Sequence, residues 1–160
     1  MYIKIIRKLE DEMNTLDHEL RVDLPRELKT AADHGDLSEN AEYDAAKERK
    51  RFVESRISVL QKRVSEIKSI DINRIPHDRV GLGSFVKLED LDTDEVVEYT
   101  FVLPEESNPD KGKISLATPI GKALVGKKVG DDIEVITPKG KREFEIVELT
   151  TVHDQSKKNA

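Results

Sequence analysis

The sequence predicts an α+β protein, in which an N-terminal antiparallel coiled-coil hairpin of two helices precedes a small antiparallel sheet domain with one short helix. Apolar residues in the first half recur at spacings of three and four, which is typical of helices that pair through a narrow seam. The second half has short alternating runs separated by turn residues, which indicate strands. We therefore expect a hairpin at 1–75, a linker at 76–79, a sheet domain at 80–154 and a flexible tail at 155–160.

Two apolar stripes define the arms of the predicted hairpin. The stripe of the first arm, which runs from about Ile3 to Asp33, consists of Ile6, Leu9, Met13, Leu16 and Leu20. The stripe of the second arm consists of Val53, Ile57, Leu60, Val64 and Ile67. Each stripe is narrow and can bury one seam, so the two arms are expected to pair with each other. Pro25 lies inside the first arm and is expected to kink or interrupt it.

The chain is predicted to reverse at residues 34–40, which contain Gly35, the only glycine among the first 80 residues. Glycine readily adopts the positive φ that ends many helices. Asp36 and Glu39 follow within this segment. Their spacing fits an N-cap residue and its partner at the third helical position, so they are candidates for a capping box as well as for chemistry.

Turn and strand signals fill the second half. Residues 99–103 and 143–146 are rich in residues that favour strands, and the second run alternates. Residues 137–140, Thr-Pro-Lys-Gly, fit a turn. The pair Thr118-Pro119 is typical of an N-cap followed by a first-turn proline, and Gly126 can end the short helix that they begin.

Composition excludes several classes of protein. The 160 residues include no cysteine, which excludes disulfides and cysteine-ligated zinc. The net charge of −6 argues against general coating of nucleic acid, and residues 1–75 carry −1 of it. No apolar run approaches a membrane span, and the N-terminus lacks the apolar region of a signal peptide. We therefore expect a cytoplasmic protein without membrane contact.

Two longer motifs resemble one known family. Residues 34–43, His-Gly-Asp-Leu-Ser-Glu-Asn-Ala-Glu-Tyr, resemble the hairpin-tip signature of the Gre transcript-cleavage factors, in the form typical of GreA. Residues 118–131, Thr-Pro-Ile-Gly-Lys-Ala-Leu-Val-Gly-Lys-Lys-Val-Gly-Asp, resemble the signature of that family's C-terminal domain. The motifs occur in the family's order, and the resemblance covers nearly the whole chain.

The resemblance implies a C-terminal domain similar to the FKBP fold and an accessory role rather than an enzyme in its own right. Its members bind bacterial RNA polymerase in the secondary channel and stimulate the polymerase's own endonucleolytic cleavage of backtracked RNA, which rescues arrested complexes. By motif position, Asp36 and Glu39 are the catalytic carboxylates, which share Mg²⁺ with the polymerase active site. The free protein is expected to bind no cofactor stably, and to be a monomer.

The resemblance also assigns supporting roles near the tip. The basic run Lys47, Arg49, Lys50 and Arg51 corresponds to the family's contact with the nascent RNA 3′ end. Lys47 and Arg51 are favoured because residues four apart share a helix face. His34, Gly35, Asn40 and Tyr43 are expected to shape the tip. A charge run is also typical of a solvated helix face, and that interpretation remains open.

Two other functions stay open from the sequence. A paralogue that occupies the polymerase channel without cleavage would share the fold, although it would not need Asp36 and Glu39. An FKBP-like domain also suggests a prolyl isomerase or chaperone, but fold alone does not establish function. An isomerase pocket is built from aromatic side chains, and the second half offers only Phe85, Tyr99, Phe101 and Phe144.

Overall fold

The structure is a computed structural model that describes residues 2–35 and 40–158, with side chains described as far as residue 155. The chain forms two compact units, Met1–Ile70 and Asp71–Ala160. The first unit is a helical hairpin and the second contains a five-stranded sheet, which confirms the predicted α+β class. Within the described residues, no helix combines the length and apolar character needed to cross a membrane.

The first arm of the hairpin is helical throughout, but it changes helix type in the middle. Its parts are α1 at Ile3–His18, a π-helical turn at Glu19–Asp23 and α2 at Leu24–Asp33. The N–H of Leu24 donates to the carbonyl of Glu19, five residues earlier, as a π-helix requires. The interruption expected from Pro25 is therefore a π-helical turn that ends two residues before the proline.

Two features of the sequence account for the π-helical turn. Pro25 lacks an N–H, and in a regular α-helix its ring would collide with the carbonyl of Arg21. In addition, Leu20, Leu24 and Leu28 are spaced four residues apart, whereas the apolar positions of a heptad alternate between spacings of three and four residues. The first arm therefore has one residue more than a continuous heptad stripe would have. A π-helical turn accommodates the extra residue, so Leu24 remains in the seam, where it is 1% exposed.

The second arm is one helix, α3, at Ala41–Lys68. Buried side chains from both arms form the seam, namely Leu16, Leu24, Val53 and Leu60, with Leu9, Met13, Leu20 and Ile57 packed against them. Val64 and Ile67 of the predicted stripe are also buried. The two stripes thus meet in one core, which confirms the predicted hairpin.

Ion pairs join the exposed flanks of the two arms. Arg49 Nε lies 2.9 Å from Glu19 Oε1, and Arg56 Nε lies 2.9 Å from Glu12 Oε1. In both pairs the cation belongs to α3 and the carboxylate to the first arm. The two arginines are seven residues apart, as are the two glutamates, so the pairs repeat with the heptad of the seam.

The second unit is built on a sheet of five strands in the order β3-β2-β1-β5-β4. The strands are β1 Phe85–Asp90, β2 Val96–Val102, β3 Lys113–Ser115, β4 Asp132–Thr137 and β5 Gly140–Thr150. Most neighbours are antiparallel, but β3 pairs parallel with β2. The prediction of a wholly antiparallel sheet is therefore wrong for β3, because the chain crosses over between β2 and β3 through two short 3₁₀ turns, Pro104–Glu106 and Pro109–Lys111.

The predicted short helix is present as α4, at Pro119–Leu124. The Thr118 hydroxyl caps it by accepting the N–H of Gly121 at 3.1 Å. Gly121 is itself required, because a Cβ there would lie 2.6 Å from the carbonyl oxygen of Ser115. Leu124 inserts into the core of the sheet unit and is fully buried.

A second helix lies where the sequence predicts a flexible tail from residue 155. This helix, α5, spans Val152–Lys158. Val152 is buried, and the Gln155 side-chain amide donates to the carbonyl of Gly83 at 2.9 Å. These contacts hold the first turn of α5 against the loop before β1, so the expectation of one helix is wrong, and Gln155, the first residue of the predicted tail, belongs to α5.

Candidate hairpin-tip site

The site predicted from the sequence lies where the two arms of the hairpin join. Asp36 and Glu39, the predicted catalytic carboxylates, lie outside the described residues, which stop at Gly35 and resume at Asn40. Gly35 has a φ of +129°, a conformation that a residue with a Cβ rarely adopts. A glycine is therefore needed where the chain leaves the first arm.

Asn40 begins the second arm and also contacts the first. Its side-chain oxygen accepts the N–H of Tyr43 at 3.0 Å, which makes it the N-cap of α3. Its side-chain nitrogen donates to the carbonyl oxygen of Ala31, in the last turn of α2. The capping box suggested for Asp36 and Glu39 is therefore wrong, because α3 begins at Ala41 and its cap is Asn40.

His34 and Tyr43 flank the tip on opposite arms. His34 follows α2, where its N–H donates to the carbonyl of Ala31 at 3.2 Å, and its side chain is exposed. Tyr43 is half-buried in the first turn of α3, and Lys47 Nζ lies 5.4 Å from the centroid of its ring. This is within the range of a cation–π contact, so Tyr43 holds one cation of the basic run close to the tip.

The basic run does not present four equivalent cations. Arg49 pairs with Glu19 across the hairpin, and the hydrogen bond that Arg49 Nε donates to the Glu19 carboxylate is the main cause that raises the pKa of the Arg49 guanidinium. Arg51 pairs with Glu48 on its own helix at 3.0 Å. Lys50 is exposed and forms no ion pair with the described part of the chain. Of the predicted RNA contacts, Lys47 and Lys50 thus retain ammonium groups without an anionic partner among the described residues.

Sequence reasoning missed two partners of the site. Glu19 holds Arg49, and its only sequence signal is its position next to the apolar stripe, where cross-helix ion pairs are common. Ala31 contributes a main-chain carbonyl, and since every residue has one, no residue type could have marked it.

The described residues do not contain a complete metal site. No group of three or more His, Asp or Glu side chains among them could hold a metal ion. Asp36 and Glu39 would add two carboxylates, and carboxylates are suitable ligands for Mg²⁺. Mg²⁺ usually retains waters and takes one or two carboxylates together with phosphate oxygens, so this donor set fits the ion only where a partner completes the coordination.

Three of the four aromatic residues that the sequence offers for a prolyl isomerase pocket lie in or against the core of the sheet unit. Phe101 and Phe144 are buried members of the sheet core. Tyr99 is half-buried and packs against that same core. These three side chains are therefore used for packing.

Both units match models of one family over most of their length. The family described as "Transcription elongation factor, N-terminal" matches residues 4–68, and "Transcription elongation factor, GreA/GreB, C-term" matches residues 75–151. The GreA of a Nitratiruptor species is 45% identical over 142 residues, which are 89% of this chain and 86% of the relative.

A second GreA gives the same result. The GreA of Chloroherpeton thalassium is 46% identical over 142 residues, covering 89% of this chain and 90% of the relative. Among solved structures, the GreA factor homolog Gfh1 of Thermus thermophilus is 34% identical, with 90% of this chain and 93% of that chain covered and a TM-score of 0.42. With two matching domains in order and close to half of the aligned residues identical, the chain belongs to the GreA/GreB family of transcription elongation factors.

Proposed function

We propose that this elongation factor binds RNA polymerase in its secondary channel and stimulates the polymerase's intrinsic cleavage of backtracked nascent RNA. The observation that supports this proposal is the closed end of the hairpin, where Asn40 joins the two arms on either side of a segment that contains Asp36 and Glu39. A narrow hairpin can enter a channel that a globular domain cannot. Two carboxylates at its turn would then reach the active site first.

The proposed chemistry needs both proteins. Asp36 and Glu39 would hold a Mg²⁺ ion that they share with the polymerase, and either carboxylate could orient the water that attacks the phosphodiester bond. Bound there, the ion would stabilise the charge that develops on the attacking and leaving oxygens. Because the hairpin supplies only part of the donor set, the isolated protein would not cleave RNA.

The remaining parts would position the carboxylates and the RNA. Lys47 and Lys50 would attract the phosphates of the RNA 3′ end, together with Arg51 if it leaves Glu48. Arg49 would instead stabilise the hairpin through Glu19, which revises its expected role. The second unit would dock on the polymerase outside the channel. We expect a monomer to act in this way, in the cytoplasm where the polymerase works.

The test replaces each tip carboxylate by its amide. Asp36→Asn and Glu39→Gln leave the Asn40 cap in place, so the melting temperature should barely change. Cleavage in a backtracked elongation complex should fall at least about tenfold, or 1.4 kcal/mol of barrier. Asp110→Asn, which removes an exposed carboxylate from the second unit, is the matched control and should cleave like the parent.

Binding must be measured alongside cleavage. The two tip variants should still compete with the parent protein for polymerase, because their proposed docking unit is unchanged. Raised Mg²⁺ should partly restore cleavage if metal recruitment is the weakened step. Full cleavage by Asp36→Asn and by Glu39→Gln at low Mg²⁺ would show that the tip carboxylates are not the catalytic element.

A further inference from the structure

The Asn40 side chain uses both of its ends, and each end contacts a different arm. Its oxygen accepts the N–H of Tyr43 in the first turn of α3, and its nitrogen donates to the Ala31 carbonyl in the last turn of α2. Helix ends leave N–H and carbonyl groups without partners inside the helix. One side chain thus supplies the acceptor for the Tyr43 N–H and a second donor for the Ala31 carbonyl, which also accepts the N–H of His34, and so it links the two arms at the tip.

We propose that Asn40 is a positioning residue for the cleavage reaction, which acts by fixing the separation of the two chain ends that carry Asp36 and Glu39. This inference rests on the proposed function. Asn40 directly follows Glu39, and Ala31 lies five residues before Asp36, so the contact spans the whole acidic segment. Catalytic groups must be held within about 0.5 Å of their productive geometry, which a turn without such a contact would not ensure.

Asparagine is the residue that suits both contacts. Serine and aspartate cap helices about as well, but neither offers an N–H that could reach the Ala31 carbonyl. Aspartate would place a second oxygen against that carbonyl, where the two would repel. The cap and the cross-arm bond can therefore be separated by substitution, because Asn40→Asp keeps the first and removes the second.

The experiment compares Asn40→Asp and Asn40→Ser with the parent in stimulated cleavage at saturating protein. Both variants keep the cap, so their helix content should match the parent's, and the melting temperature should fall only by the loss of the one cross-arm hydrogen bond. Asn40→Asp also places a favourable negative charge at the helix N-terminus. The maximal cleavage rate should nevertheless fall about tenfold, since small misplacements of catalytic groups are costly. Competition for polymerase should be unchanged, so the loss should appear in the rate and not in the concentration for half-maximal effect.

A second measurement needs no polymerase. The chain has no cysteine, so Lys29→Cys with Ala45→Cys introduces a unique pair of exposed attachment sites on α2 and α3. Spin labels on these sites should report a narrow distance distribution in the parent and a broader one when Asn40→Asp is added. Asn40→Ala, which removes both contacts, should be at least as broad.

The outcomes distinguish this inference from the proposed function. If the parent fails to stimulate cleavage, the proposed function fails, while the distance measurement still tests the fastening of the arms. If Asn40→Asp cleaves at the parent's maximal rate, or leaves the distance distribution unchanged, Asn40 is a helix cap and the inference is overturned. A loss of cleavage that saturating protein restores would also overturn it, because the defect would then lie in binding.

Discussion

At the scale of single residues, Asp90 shows how the second unit uses one buried charge. Asp90 lies at the end of β1 and is 2% exposed. One oxygen accepts the N–H groups of Asp92 and Thr93 at 2.8 and 3.1 Å, and the other accepts Arg142 Nε and Nη2 at 3.0 and 2.9 Å. The backbone bond from Asp92, followed by the side-chain bond from Arg142, lowers the pKa of Asp90. The charged carboxylate therefore holds both the turn after β1 and strand β5.

A lowered pKa makes the contribution of Asp90 depend on pH in a known direction. The charged carboxylate stabilises the folded state at pH values above the unfolded-state pKa of about 3.9. This stabilisation is lost as the pH falls through the lower pKa of the folded state. We expect Asp90→Asn to lower the melting temperature of the sheet unit at neutral pH, because Arg142 loses its charged partner. The difference from the parent should shrink below about pH 4.

Calorimetry of both proteins across this pH range checks that expectation. Asp94→Asn, at the exposed turn after β1, changes the same charge without a buried partner and serves as the control. A difference between Asp90→Asn and the parent that stays constant down to strongly acidic pH would mean that the lowered pKa of Asp90 does not contribute to stability.

At the scale of secondary-structure elements, the π-helical turn at Glu19–Asp23 corrects the phase of the first arm. The apolar stripe before it and the stripe after it are out of step by one residue. If one residue were removed within the turn, Leu20, Leu24 and Leu28 would follow the alternating three–four spacing of a continuous heptad. The π-helical turn therefore has two possible causes at the same place, namely the extra residue and the proline that follows the turn.

Deletion of Val22, which is exposed, separates these causes. The deletion alone should give a continuous α-helix with Pro25 in its interior, at a cost of about 3 kcal/mol. The deletion combined with Pro25→Ala should restore at least the parent's stability. Pro25→Ala alone should keep the π-helical turn, because the extra residue remains.

Thermal unfolding followed by circular dichroism, with backbone chemical shifts to locate the π-helical turn, checks all three variants. Should the double variant be as unstable as the deletion alone, the extra residue would not be what the turn accommodates.

The sequence predicted elements best where a periodic apolar stripe repeats. The hairpin seam followed directly from such stripes. The cap of α4 followed from Thr118, and the turn before β5 followed from Pro138 and Gly140, because these residue types are typical of caps and turns. Strand β3 has three residues, which is too short for any period to show. Helix α5 depends on Val152 and Gln155 meeting a distant loop, and its own residues form no apolar stripe.

The tip was only partly predictable for a related reason. Asn40 belongs to a recognisable motif, but its acceptor is a main-chain carbonyl in another helix. Likewise, the ion pair between Arg49 and Glu19 depends on the register of the two arms, and the sequence of the basic run alone does not define that register. Contacts between segments far apart in sequence decide which members of a motif remain available to a partner.

At the scale of the whole molecule, the two units have separate hydrophobic cores. The hairpin core is centred on Leu24, Val53 and Leu60, and the sheet core contains Leu88 and Phe101. Each core is built from residues of its own unit. A defect in one core should therefore leave the other intact.

A matched pair of substitutions checks this independence. Leu60 is 2% exposed and Leu88 is fully buried, and replacing either by alanine should cost about 2–5 kcal/mol. In calorimetry, Leu60→Ala should lower the transition of the hairpin and leave that of the sheet unit in place, with the reverse for Leu88→Ala. If both variants lowered one common transition equally, the units would unfold as a single cooperative block.

The ion pairs between the arms have a consequence for how copies of the chain meet. Residues 3–33 carry six Lys and Arg against eight Asp and Glu, whereas residues 41–68 carry eight against five. The two arms therefore carry net charges of opposite sign, so each arm attracts the other arm and repels a second copy of itself. Two copies could form the same seam only by domain exchange, in which each gives its second arm to the other. Whether this complementarity is satisfied within one chain or between two should then depend on the connection at residues 34–40, and we expect a shorter connection to favour exchange between copies.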